Sequence, residues 1–321
     1  ELGKALPHMR LNQEARELYD RQIRLWGAGA QQRLMGSTVV IAGLDALQTE
    51  CAKNLVLAGV NLTLVDDGVV VQATLAANPL LTSADLGRPL AEAVAERLSD
   101  INSLPSVTFA KSLDLNSQKH TVVVLRHTPD VQERIEPLSE RGVGVYVTLS
   151  VGRFGCFWGT LHDHEVESLG IQADEEEDDD LMRAVRRDAP FTVHFPSFAE
   201  AFDPDALSKL RIRRTDALAA ILQQVFAGTP VGTAISRAKE LGFDCTKLTR
   251  ASLLDKVQGR EVLLEEDIAR QLRGDDPVTA AVLGGVLSQE VRKAVTRQQE
   301  PLVNFVTFNG DAASVTVTRF A

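Results

Sequence analysis

Two short apolar runs with a helix between them constrain the fold of this chain more than any other feature. Residues 38–43 form a continuous β-branched run that ends in glycine, and residues 61–66 repeat the pattern and end in Asp66. Such continuous runs are typical of strands that are buried on both faces of a parallel sheet. A helix from about Leu47 to Leu57 joins the two runs. The sequence therefore predicts a βαβ unit of the dinucleotide-binding kind.

The alternation of strands and helices continues after this unit and predicts a doubly wound, Rossmann-like α/β sheet. The further elements expected here are a helix near 91–102, strands at 107–110, 121–125 and 143–149, and a helix at 131–136 that Pro137 stops. Residues 11–34 predict a long or kinked helix that is broken near Gly27. A helix at 277–296 leads into two alternating runs around Asn309-Gly310, which predicts a C-terminal β-hairpin.

Changes in composition divide the chain into four predicted segments. We expect a first α/β part at 1–165, an acidic flexible loop at 166–190, a mainly helical insertion at 191–274, and a last helix with its hairpin at 275–321. The insertion is predicted from apolar side chains that recur every three or four residues. The loop contains seven consecutive acids at 174–180, which predict a solvated surface or, alternatively, a docking surface for a basic partner.

Composition argues against several classes of partner. The net charge of −10 opposes nucleic-acid binding, although the acidic loop accounts for most of that charge. No apolar run approaches the ~20 residues that span a bilayer, and the first residues lack a signal-peptide layout, so neither a membrane nor secretion is expected. Cys51, Cys156 and Cys245 are too far apart for a zinc site or a disulfide framework. We expect buried thiols in a reducing compartment.

The turn after the first strand is poorly suited to phosphate. A nucleotide site at this position needs glycines, which let backbone N–H groups and the helix N-terminus approach the phosphates. Here Gly43 is the only glycine that remains, Gln48 replaces the third one, and Asp45 places a carboxylate where phosphate would sit. Gly43 and Asp66 are therefore degenerate positions, and we expect no tight ATP binding. Asp66 could still accept ribose hydroxyls, or it could be an ordinary strand terminus.

The nine residues from Tyr19 to Gly27 combine two arginines, an acid and two aromatic side chains. A capped amphipathic helix would explain them locally. The segment also closely resembles the opening signature of the ubiquitin-like-protein activating enzymes. Residues 53–60 are similar to the first crossover helix of that family, 281–293 to its late helix, and 301–310 to its terminal strand and hairpin. The resemblance covers nearly the whole chain except the acidic loop, and it implies an adenylation fold.

Departures from the family pattern imply a non-catalytic subunit. Active units follow the strand-two acid with an Asn-x-x-Arg stretch, a lysine at the next helix and a metal-binding aspartate. Here Asn78 has no arginine nearby before Arg88, Leu90 stands at the lysine position, and Arg126 stands at the aspartate position. The resemblance thus implies that ATP and magnesium are bound by a homologous catalytic partner, with no cofactor or metal in this chain.

The resemblance also implies what this chain does for its partner. In the family's dimers, the arginine of Tyr-x-Arg-Gln reaches the nucleotide of the other subunit, and here that residue is Arg21. Arg24 is expected to be structural and paired with Asp20 at helical spacing. The implied partners are a catalytic subunit, which docks on a broad apolar surface, and SUMO or a related ubiquitin-like protein. The implied location is the nucleus, with the cytoplasm also open.

Three other functions stay open at this point. The first is a regulatory subunit for another ubiquitin-like modifier, as in neddylation. The second is an NAD-dependent oxidoreductase, which the βαβ unit and Asp66 would suit but the missing glycines oppose. The third is a self-sufficient sulfur-carrier adenylating enzyme, which would need intact ATP residues.

Overall fold

An eight-stranded mixed sheet forms the centre of the molecule. The computed structural model describes residues 11–113, 120–167, 190–203, 217–229, 231–243, 276–310 and 312–319. The strands are β1 (Thr38–Ala42), β2 (Asn61–Val65), β3 (Val107–Ala110), β4 (Val122–Arg126), β5 (Gly144–Val151), β6 (Phe154–Thr160), β7 (Asp163–Val166), β8 (Phe191–His194), β9 (Phe305–Asn309) and β10 (Ser314–Thr318). Strands β7 and β8 form a separate two-stranded sheet.

The strand order in the large sheet is β10-β9-β6-β5-β4-β1-β2-β3. The five neighbouring strands β5, β4, β1, β2 and β3 pair in parallel. Strands β6, β9 and β10 extend the sheet beyond β5 with antiparallel pairing. The chain winds outward from β1 in one direction to β2 and in the other to β4, so a topological switch point lies between β1 and β4. In open α/β sheets, ligands bind outside the carboxyl ends of the strands at such a point.

The helices cover both faces of this sheet, as the predicted doubly wound α/β fold requires. They are α1 (Gln13–Leu18), α2 (Asp20–Gly36), α3 (Ala46–Leu57), α4 (Gln72–Ala77), α5 (Leu90–Ile101), α6 (Val131–Glu140), α7 (Phe198–Ala201), α8 (Ala217–Phe226), α9 (Val231–Glu240) and α10 (Pro277–Thr296). The buried side chains of α3, α5 and α10 share one core with the sheet, and those of α6, α7 and α8 share a second core. No helix in the described ranges is long and apolar enough to cross a membrane.

The close packing of α10 on α3 depends on one glycine. A Cβ atom on Gly284 would lie 2.8 Å from the carbonyl oxygen of Leu47, so only glycine lets the two backbones approach this closely. The adjacent Gly285 differs, because a Cβ atom built there meets no atom within 4 Å. Of these two adjacent glycines, Gly284 therefore allows the close packing, and Gly285 faces open space.

Several predicted elements are confirmed and one boundary is wrong. Helix α2 is broken at Gly27, whose φ of 84° and ψ of 157° are not helical. The C-terminal hairpin is present, with Asn309 paired to Ser314 across a four-residue loop. Pro137 does not stop its helix, because α6 continues to Glu140. An interior proline costs about 3 kcal/mol in a helix. The complete burial of Leu138, one residue further on, offsets that cost.

The structure describes only parts of the predicted acidic loop and of the predicted helical insertion. The acidic run at 174–180 lies outside the described residues, as does Cys245. The segment 191–274 begins with a strand, β8, and then contributes helices α7, α8 and α9. Helix α8 lies against the sheet, because Phe226 packs on Phe305 of β9 with their ring centroids 5.5 Å apart.

Candidate functional site

The turn after β1 is filled by a side chain from the neighbouring strand. Gly43 has a φ of 85°, and a Cβ atom built on it would lie 2.7 Å from the Cβ of Arg126. Arg126 ends β4, which pairs in parallel with β1 at this edge of the sheet. The arginine side chain therefore lies across the one glycine at which a phosphate could approach the backbone.

The N-terminus of α3 is capped by the chain itself. Asp45 is the N-cap residue, and its carboxylate accepts a hydrogen bond from the Gln48 N–H at 3.1 Å. The buried Gln48 amide lies between this carboxylate and the hydroxyl of Thr148, so it can donate to one and accept from the other. A carboxylate at a helix N-terminus is stabilising there, and it repels an incoming phosphate.

Both oxygens of Asp66 are engaged by backbone groups. One oxygen accepts the Leu44 N–H and the other accepts the Gly68 N–H, each at 2.8 Å. These bonds join the turn after β1 to the loop after β2. Asp66 therefore acts as a clamp between the two loops.

The positions that carry the remaining ATP residues in active units are also committed to structure. Asn78 is buried and its side-chain oxygen accepts the Leu80 N–H at 3.1 Å. Leu90, at the lysine position, is a buried core residue. Arg88 pairs with buried Asp85 at 3.1 Å and with Glu96 at 2.8 Å.

The carboxylate of Asp85 is the centre of this ion-pair cluster. The Thr82 N–H and the guanidinium of Arg97 lower its pKa to about 2. Arg97 approaches the carboxylate to 3.0 Å. Arg88, the nearest arginine after Asn78, is thus held in ion pairs with acids and has a structural role. Together with the filled turn, these residues do not fit a magnesium–ATP complex. No group of three or more His, Cys, Asp or Glu side chains among the described residues could hold a metal ion.

Arg21 has the opposite environment. It is exposed on the first turn of α2, and it forms no ion pair or hydrogen bond with another described residue. Arg24, one turn further along, pairs with Asp20 at 2.9 Å, as its spacing predicted. Leu25 is 77% exposed in the same half of the helix. The guanidinium of Arg21 is therefore available to a ligand or to another protein.

Helix α3 separates Arg21 from the filled turn. Gln22, next to Arg21, donates to the carbonyl oxygen of Leu57 at 3.0 Å, which places this part of α2 at the C-terminal end of α3. The filled turn lies at the N-terminal end. A helix of 12 residues is about 18 Å long, which exceeds the reach of a side chain. Arg21 therefore cannot serve the nucleotide turn of its own chain.

Comparison with known proteins identifies the family. A model of the ThiF family matches residues 19–131. The chain is 30% identical to SUMO-activating enzyme subunit 1 of Homo sapiens, over 94% of this chain and 93% of that protein. This chain belongs to the SUMO-activating enzyme subunit 1 family. A plant member of the family, SUMO-activating enzyme subunit 1B-1 of Arabidopsis thaliana, is 28% identical over 94% of each chain.

Solved structures of more distant proteins share the fold. PaaA has a TM-score of 0.58 and 14% identity, over 98% of this chain and 85% of its own. E. coli MccB, solved with AMPCPP and MccA, has a TM-score of 0.55 and 12% identity, over 98% of this chain and 74% of its own. At these identities the likeness shows the fold alone.

The described thiols of this SUMO-activating enzyme subunit 1 relative are not nucleophiles. Cys51 and Cys156 are fully buried, as the sequence predicted. Burial raises the pKa of both thiols above the ordinary value, so neither is a thiolate at neutral pH.

Sequence reasoning missed the contacts that close the nucleotide turn. It identified Arg126 as a lost metal ligand, but the packing of Arg126 over Gly43 follows from strand pairing that no local pattern records. It also missed the Asp85 cluster. The spacing of Asp85, Arg88 and Glu92 is three and then four residues, a signal of helical ion pairs that could have found it.

Proposed function

We propose that this chain is the non-catalytic subunit of a SUMO-activating enzyme. It forms a heterodimer with a homologous catalytic subunit, which binds ATP and magnesium, adenylates the C-terminal glycine of SUMO and accepts SUMO as a thioester on its own cysteine. The observation that carries this proposal is the closed turn between β1 and α3, where Asp45 and Arg126 occupy the phosphate position. A member of this family with such a turn can contribute only in trans.

The contribution in trans is the guanidinium of Arg21. A guanidinium suits this role because it stays charged and donates to phosphate oxygens through a planar fork. In a dimer of two such folds, Arg21 reaches the partner's nucleotide turn when the C-terminal end of α3 lies beside the N-terminal end of the partner's α3. The exposed leucines near Arg21 support this arrangement, because Leu18, Leu25 and Leu57 give the surface an apolar character.

The cellular setting follows from the same assignment. We place the heterodimer in the nucleus, with a cytoplasmic pool also compatible, and we place SUMO recognition mainly on the catalytic subunit. Fractionation of cells that express a tagged chain tests the location. A tagged chain found only in the cytoplasm would contradict a nuclear role.

The decisive experiment measures SUMO thioester formation on a purified catalytic subunit with ATP and magnesium. The reaction is compared without this chain, with this chain, with Arg21→Ala and with Arg24→Ala. We expect the chain to be required and Arg21→Ala to slow adenylation roughly 10²-fold, as loss of one charge-stabilising donor does elsewhere. Arg24→Ala is the matched control. It removes an exposed guanidinium one turn away and is expected to keep nearly full activity.

Each other outcome changes a different part of the proposal. If the chain is not required, the assignment to SUMO is wrong, and the neddylation modifier is tested in the same assay. If Arg21→Ala is as active as Arg24→Ala, Arg21 is structural. ATP–pyrophosphate exchange by the chain alone would contradict the closed turn and support a self-sufficient adenylating enzyme. Tight NAD binding by the chain alone would support an oxidoreductase.

A further inference from the structure

A contact between α2 and α10 fixes the half of α2 that carries Arg21. Trp26 is the last residue before the break at Gly27, and its ring is half-buried. The guanidinium carbon of Arg292, in α10, lies 4.9 Å from the centroid of that ring. A guanidinium over an indole face is an attractive cation–π arrangement, and indole is the most favourable ring for it.

Two hydrogen bonds hold the same tryptophan from other sides. The Trp26 Nε1–H donates to the side-chain oxygen of Gln31 at 3.0 Å, across the break in the helix. Gln31 in turn donates to the carbonyl oxygen of Ala58 at 3.0 Å, just beyond α3. Gln298 donates to the backbone carbonyl of Trp26 at 2.8 Å. Trp26 is therefore fixed by residues that follow the break and by residues far along the chain.

The neighbours of Arg292 direct its guanidinium towards the ring. Its Nε and Nη2 atoms both donate to the side-chain oxygen of Gln289, at 3.0 and 2.7 Å, and Nη2 also donates to Gln299 at 3.3 Å. No acid among the described residues forms an ion pair with it. Partial burial lowers the pKa of Arg292 from its ordinary value, which costs free energy that the contact with Trp26 offsets.

We infer that Arg292 is a positioning residue for Arg21, acting through Trp26. The inference rests on the proposed role of Arg21 in trans. Tyr19 anchors the start of the segment, because its buried hydroxyl accepts a hydrogen bond from Asn102 at 2.8 Å. The backbone helix is interrupted at Gly27, so the direction of the segment before it depends on side-chain contacts. The Trp26 contact therefore acts together with the Gln22 bond to the Leu57 carbonyl to set the angle at which the segment from Tyr19 to Trp26 presents Arg21.

The test uses the assembled heterodimer and the single-turnover rate of SUMO adenylation. Arg292→Ala is expected to lower that rate roughly tenfold, because small displacements of a charged group cost this much or more. The KM for SUMO and the affinity between subunits are expected to stay unchanged. Arg292→Lys, which keeps a cation over the ring, is expected to restore part of the rate. In the Arg21→Ala background, Arg292→Ala is expected to cause no further loss.

A spectroscopic measurement follows the contact without using activity. The chain has two tryptophans, so Trp158→Phe leaves Trp26 as its one emitter. In that background, Arg292→Ala is expected to shift the emission of Trp26, and the control Arg24→Ala is expected to leave it unchanged.

The outcomes separate this inference from the proposed function. If Arg21→Ala slows adenylation and Arg292→Ala does not, the positioning role is wrong and the proposed function stands. If Arg292→Ala slows the Arg21→Ala enzyme by the same factor as the wild type, Arg292 acts by another route and the inference is overturned. If Arg21→Ala has no effect, the role in trans fails before the positioning role is reached.

Discussion

The two ends of α3 differ in how far the chain satisfies its own polar groups. At the N-terminal end, Asp45 caps the helix, Arg126 covers Gly43, and Asp66 accepts two backbone N–H groups. At the C-terminal end, Arg21 is exposed and makes no bond to another described residue. We call the N-terminal end of α3 the closed end and the C-terminal end the open end. The comparison indicates that the chain's own side chains fill its nucleotide turn, while Arg21 stays available to another protein.

The largest expected effect comes from removing the clamp at the closed end. Asp66→Ala leaves the Leu44 and Gly68 N–H groups without their carboxylate, and hydrogen bonds to charged groups contribute about 1.5–3 kcal/mol each. We expect the free energy of unfolding, measured in urea, to fall by roughly 3 kcal/mol. The exposed neighbour offers a control, because Asp67→Ala should change it by less than about 0.5 kcal/mol. Equal losses in the two variants would mean that the closed end is not held by Asp66.

The second-largest expected effect comes from breaking the Asp85 cluster, which joins the loop after β2 to α5. Asp85→Ala is expected to lower the free energy of unfolding by roughly 2–3 kcal/mol at neutral pH, because Arg88 and Arg97 lose a buried partner. The native pKa of about 2 lies below the ordinary value of 3.8, so this stabilisation is present above the ordinary value and is lost as pH falls towards 2. Urea unfolding at several pH values should show that the free energies of unfolding of the wild type and of Asp85→Ala converge in acid. A difference that stays constant down to pH 3 would rule out Asp85 as its source.

At the open end the expected effect is on assembly and is smaller. Leu25→Asp should weaken the proposed heterodimer about tenfold, because a leucine that is 77% exposed in the isolated chain would lose its apolar burial at the proposed interface. The free energy of unfolding of the isolated chain should change by less than about 0.5 kcal/mol. Leu241→Asp, after α9 and also exposed, is the control. Titration calorimetry with the catalytic subunit distinguishes them, and equal weakening by both would argue against an interface near Arg21.

The smallest expected effect concerns a groove of about 250 Å³ between α2, α3 and α10, which Gly285 lines. Gly285→Ala should raise the free energy of unfolding by about 0.5–1 kcal/mol, because alanine favours the helix and meets no neighbour within 4 Å. Gly284→Ala should lower it, since its Cβ would lie 2.8 Å from the Leu47 carbonyl. Thermal unfolding of both variants checks the contrast. Destabilisation by Gly285→Ala would show that the groove is filled in solution.

The sequence predicted the elements around α3 well because they depend on local patterns. The β-branched runs of β1 and β2, the apolar face of α3 and the glycine at 27 each act within a few residues. Pro137 was misjudged, because the burial of Leu138 depends on tertiary packing that outweighs a local propensity.

The sequence shows which ATP-site residues are missing from the candidate site, but it does not show which contacts stand in their place. The missing glycines and the substitution at Arg126 can be found by inspection of the sequence. The distance from Arg126 to Gly43, the two bonds of Asp66 and the position of Arg292 over Trp26 all depend on which elements meet in space. Such contacts join residues that are distant in the chain, so no single window of sequence contains them.

The packing of α10 on α3 has a consequence for how the chain is made. Leu47 and Gly284, which meet in that packing, are more than 230 residues apart. At about 5–20 residues per second, a ribosome needs on the order of 10 to 50 s to synthesise the chain between them. During that interval the apolar face of α3 lacks its final cover. We expect nascent chains to depend on chaperones at this stage, and to present Arg21 correctly only after α10 has emerged.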